Sequence, residues 1–122
     1  MIIREILWRD SDYTGCIWRH SGDADDYSTL EWVEGNTLAK PSEAELVGKW
    51  AAIKAKIVGE KLRSKRNKLL VESDWMVLVD RTPSTEQLAY RQALRDLPAN
   101  SPNANLDEYG QLTGVTWPTK PE

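Results

Sequence analysis

The sequence has no phenylalanine, a single cysteine, a single histidine, and no apolar run near the ~20 residues that a bilayer-spanning helix needs. A lone Cys16 excludes a disulfide within the chain. A lone His20 excludes a metal centre built on several histidines, and Cys16 does not stand beside it in a ligand-spaced pair. Read as strand residues on one face, the two lie ~13 Å apart, too far for proton transfer, so a Cys–His nucleophile is not expected. A glycine-rich phosphate loop, a nucleophile elbow and a dinucleotide fingerprint are all missing. Asp23, Asp25 and Asp26 put three carboxylates in one loop, where a hard cation takes its oxygens. That loop lacks the length and closing glutamate of an EF-hand and reads as a solvated turn. No enzyme, cofactor or metal is expected. With no charged-then-apolar leader, and with "II" directly after Met1, the expectation is a cytosolic protein whose fold starts at once.

What is present is an aromatic-heavy small domain. A chain of 122 residues buries only a modest core, and six Trp and four Tyr supply its aromatic area with polar handles suited to half-buried surfaces. The net charge of −3 hides a segregation. Between Lys54 and Lys68, seven basic residues face only Glu60, a net of +6, which leaves −9 on the remainder. A basic stripe suggests nucleic acid, but the acidic remainder would repel phosphate, and a solvated helix face is the simpler reading.

The patterning predicts an α+β fold in three regions. Residues 1–40 read as a small antiparallel β-meander, with "IIREILW", "CIWRH" and "STLEWVE" as strands. Residues 41–98 read as helical. A long helix over 42–72 opens with Ser42 and Glu45 at capping-box spacing and carries Leu46, Trp50, Ile53 and Ile57 on one stripe. A second helix over 84–97 starts at Ser84 and Gln87, buries Tyr90, Ala93, Leu94 and Leu97, and stops at Pro98. Residues 99–122 read as an irregular loop and an extended, proline-containing tail. At 1.5 Å per residue the long helix spans roughly 45 Å, more than a domain of this size covers. Either it breaks at Gly59, or its distal half with Leu62, Leu69 and Leu70 meets another chain.

Three separated blocks carry a family likeness. "RNKLLVESDW", then Asp80, then "YRQALRDLP", and finally Trp117-Pro118 with Pro121 resemble the C-terminal domain of bacteriophage tail fibre assembly chaperones, whose members carry RN-x-LL-x-x-SDW, YRQALRDLP and WP-x-x-P in that order. The likeness covers Leu62 to Pro121, and the "KPSEAEL" helix start is familiar from the same proteins. The chain departs from the family in having Met76–Asp80 where Thr-x-Leu-Pro-Asp is usual.

The resemblance implies a non-enzymatic chaperone that binds the distal part of a fibre protein in the host bacterial cytoplasm and then leaves or stays on the virion tail. It implies no membrane. A virion adaptor at the fibre or baseplate, and a small nucleic-acid-binding regulator, are the rival readings. The block residues Arg66, Asn67, Leu69, Leu70, Ser73, Asp74, Trp75, Asp80, Tyr90, Arg91, Leu94, Arg95, Asp96, Trp117 and Pro118 read mainly as fold glue. Asn67 and Ser73–Asp74 would fix the end of the long helix, Trp75 would fill the angle between helices, and Arg91 and Arg95 would hold carboxylates. Partner contact is expected at Trp8, Trp18, Trp32, Leu62, Leu69 and Leu70, with self-association through the long helix as a further option.

Overall fold

The computed structural model describes residues 1–122 and has the expected α+β character. The chain divides into two compact units, Met1–Ala55 and Lys56–Glu122.

In the first unit, the segment expected as the first strand is instead helix α1, Ile3–Arg9. Ile3, Ile6 and Leu7 are buried at helical spacing, and Glu5 and Arg9 pair four residues apart at 2.7 Å. Two β-branched residues at the start could not outweigh that period. The sheet therefore has two strands, β1 (Trp18–His20) and β2 (Leu30–Trp32), antiparallel, with Trp18 opposite Trp32 and His20 opposite Leu30. Arg19 and Glu31 face one another and form an ion pair. The Asn36 side chain closes the end of this ladder, where the Ile17 carbonyl also accepts from the Val33 N–H at 3.1 Å. It accepts from the Ile17 N–H at 2.9 Å and donates to the Ile17 carbonyl at 2.8 Å.

Helix α2, Glu43–Glu72, begins as predicted. The Ser42 hydroxyl accepts from the Glu45 N–H at 3.1 Å, satisfying one of the orphan donors of the first turn. The helix runs unbroken through Gly59, where the Arg63 guanidinium lies across the glycine. Its residues 43–55 belong to the first unit and 56–72 to the second.

The second unit continues with a 3-10 turn at Asp74–Val77 and helix α3, Thr85–Asp96. The predicted capping box is complete: Ser84 Oγ accepts from the Gln87 N–H at 3.1 Å, and the Gln87 side chain accepts from the Ser84 N–H at 2.9 Å. Tyr90, Leu94 and Leu97 are buried as expected, but Ala93 is exposed. The segment expected to be irregular contains a small hairpin, β3 (Asn105–Leu106) with β4 (Leu112–Thr113). Asp107 makes its turn by accepting from the Tyr109 and Gln111 N–H groups at 2.9 and 2.8 Å. Gly114 follows at φ +73°, with the Asn103 carbonyl where a side chain would begin. Residues 115–122 beyond it form no helix or strand.

Candidate binding surface and the helix junction

The polar centre of the second unit is the end of α2. The last carbonyls of a helix lack internal partners, and here Arg91 of α3 supplies them. Its Nη1 donates to the Leu70 carbonyl at 2.9 Å and to Ser73 Oγ at 2.7 Å, while Nη2 pairs with Asp74 at 3.0 Å. The Ser73 hydroxyl in turn donates a hydrogen bond to the Leu70 carbonyl at 3.0 Å. Ser73 is fully buried and Arg91 only 8% exposed, with its Nε buried and unpartnered. A planar fork with several donors fits this site, where a lysine would not.

The other block residues divide. Tyr90 and Leu94 are buried, and Leu69 and Leu70 half-buried. Asn67 does not cap the helix: it is exposed, and its side-chain oxygen accepts from Arg66 at 2.9 Å. Arg95 donates to Gln92 at 3.3 Å rather than to a carboxylate, and Asp96 accepts from the same Gln92 at 3.0 Å. Asp80 is exposed. Trp75 does not fill the angle between helices. It is 38% exposed with the Arg81 guanidinium 4.9 Å from its ring centre, and its neighbour Met76 is buried instead. Trp117 is half-buried beneath the Lys65 ammonium at 4.4 Å, next to half-buried Pro118.

Of the expected contact residues, Trp8 is 75% exposed, whereas Leu62 is buried in the core. Trp18 is half-buried. Trp32 is tied into the first unit by donating to the Leu38 carbonyl at 2.8 Å and by an edge-on contact with Tyr13.

A run of exposed apolar residues lies elsewhere. Leu78 accepts from the Arg81 N–H at 2.9 Å, closing a turn that leaves Val77, Leu78 and Val79 exposed beside Trp75, with Val79 fully so. The sequence signal was "MVLVD", an apolar run without helical or strand period between two capping signals.

In the first unit, Lys49 bridges Asp10 at 3.0 Å and Asp12 at 2.8 Å above the Tyr13 ring. These bonds push the Lys49 ammonium's pKa up, the one to Asp12 most strongly. The Asp10 carboxyl is held below its usual range, first by the Asp12 N–H and then by Lys49. Burial raises the Tyr13 hydroxyl. No three acidic, histidine or cysteine side chains converge as a metal site, and no helix is long and apolar enough to cross a membrane.

A family model described as phage tail assembly chaperone protein matches residues 59–122, more than half of the chain. The chain belongs to the phage tail assembly chaperone family. No curated protein and no solved structure matches it. The matched stretch takes in α2 from Gly59, the Arg91 junction, the exposed turn and the tail. In this tail assembly chaperone the matched segment thus holds both the glue of the second unit and the exposed apolar run at Val77, Leu78 and Val79.

Proposed function

We propose that this tail assembly chaperone serves the fibre. It binds the distal part of a tail fibre polypeptide in the host cytoplasm, shields it until the fibre trimerises, and then leaves or remains as a minor tail component. The action is masking, without a chemical step. Fibre subunits must pair long strand edges between chains, and unpaired edges with apolar patches aggregate.

The observation that carries this reading is the turn with Val77, Leu78 and Val79 exposed beside Trp75. Exposed apolar clusters of this kind mark interaction sites. The test is co-expression with the fibre protein. The parent chain should keep the fibre soluble, and a variant with Val77, Leu78 and Val79 all replaced by Ser should lose that effect while keeping its circular dichroism spectrum. Fibre that is equally soluble without the chaperone would overturn the proposal.

A further inference from the structure

The second unit carries a row of lysines along α2. Lys61, Lys65 and Lys68 line one shallow groove along α2 with Ser64, Leu69 and Glu72. Within the second unit none of these lysines pairs with a carboxylate, whereas Arg91 does. At helical spacings of four and three they share a face and rise about 10 Å along it. Trp117 holds Lys65 in place, and a cation on a ring face keeps donors for an anion approaching from the other side.

The first unit carries the complement. It has six basic residues against ten acidic ones, a net of −4. Three of its exposed acids, Asp23, Asp25 and Asp26, stand in one turn without a cationic partner in that unit. That turn is pre-shaped. Asp23 Oδ1 accepts from the Asp25 N–H at 2.9 Å, and Asp26 Oδ1 accepts from the Ser28 N–H and hydroxyl at 2.9 and 2.8 Å. The Thr29 hydroxyl lies 2.6 and 2.9 Å from the Asp23 and Asp26 carbonyls. A rigid anionic loop loses little freedom on docking.

We infer that copies of this chain associate, the Asp23–Asp26 turn of one copy seating on the Lys61, Lys65 and Lys68 groove of another. The occupant is a protein acid rather than a nucleic acid, because Glu72 closes one end of the groove and the chain outside the basic segment carries −9. Exposed ion pairs each contribute little, so the contact is weak, quick to exchange and sensitive to salt. It is separate from the apolar turn at Val77–Val79 and stands whether or not that turn holds a fibre.

Sedimentation of the full chain from micromolar to millimolar concentration tests it. The parent should gain mass with concentration at about 0.01 M salt, where charges reach about 30 Å, and lose roughly tenfold in affinity at about 0.15 M, where they reach about 8 Å. Lys61→Glu, Lys65→Glu and Lys68→Glu together should give a monomer, as should Asp23→Lys, Asp25→Lys and Asp26→Lys together. Mixing the two variants should restore association, which misfolded proteins would not do. A control with Lys54, Lys56 and Lys120 changed to Glu matches the first variant in net charge. With groove and turn both intact, it should associate with itself as the parent does. A parent that stays monomeric throughout, variants that fail to associate when mixed, or a control that is monomeric like the groove variant, would overturn the inference.

Discussion

Arg91→Ala should cost the second unit about 2–3 kcal/mol. The truncation removes two short donors, to the Leu70 carbonyl and to Ser73 Oγ, in a setting where Arg91 is 8% exposed and Ser73 fully buried. Hydrogen bonds from a charged donor contribute about 1.5 kcal/mol each at the low end of their range. The ion pair adds little, about 0.5 kcal/mol, because the Asp74 side chain is 58% exposed and screened by solvent. Against these losses, truncation also removes the buried Nε that has no partner, returning about 1 kcal/mol. At about 4 °C per kcal/mol for a chain of this size, the melt should fall by roughly 10 °C. Urea and thermal unfolding followed by far-ultraviolet circular dichroism would measure it. Asp74→Asn supplies the internal control and should cost under about 1 kcal/mol. If Arg91→Ala melts with the parent, or if Asp74→Asn costs as much as Arg91→Ala, the junction is not held by the carbonyl and hydroxyl contacts.

Two further outcomes follow from burial and charge. Met76→Ala should destabilise by about 2–4 kcal/mol, whereas Trp75→Ala, with Trp75 38% exposed under Arg81, should cost about 1 kcal/mol; equal losses in denaturant titrations would contradict the burial seen here. The Asp10 carboxyl releases its proton more readily folded than unfolded, so its stabilisation is present above the ordinary value of 3.8 and is lost as the pH falls through the lower folded value. Asp10→Asn should therefore flatten the acid limb of the urea-midpoint profile below about pH 4, and an unchanged limb would show that Asp10 contributes nothing there.

How much of this was legible depended on how many independent signals agreed at a position. Helix α3 was readable because Ser84, Gln87 and Pro98 mark both ends by chemistry that acts within a few residues. The start of α2 was readable for the same reason. Helix α1 is hidden by the β-branched "II" at its start, which favours a strand, while burial follows the helical spacing of Ile3, Ile6 and Leu7. Trp75, isolated between two capping signals, reads as an inward residue, yet the one-residue step to Met76 decides which side chain faces inward. The β3–β4 hairpin has strands of two residues, too short to show any period; only Asp107 and Gly110 betray it. Arg91 was foreseen as a carboxylate clamp and does hold Asp74, but its role on the α2 carbonyl depends on a tertiary distance no local pattern encodes.

The junction and the exposed turn bear on one another. Between Ser73, held by Arg91, and Ser84, which caps α3, the chain is anchored by buried Met76 and closed by the Leu78–Arg81 hydrogen bond. The apolar side chains are therefore presented by a segment fixed at both ends, so a partner need not order it on binding. The strength available is limited. The remaining exposure of Trp75, Val77, Leu78 and Val79 amounts to a little over two full side chains, worth about 5 kcal/mol if wholly covered. Losing overall translation and rotation on association costs at least about 4 kcal/mol. On the proposed fibre-shielding role, this turn alone would hold a client only loosely. That suits a chaperone that must let go when fibre chains find one another, and it means that longer residence on the tail requires a second contact.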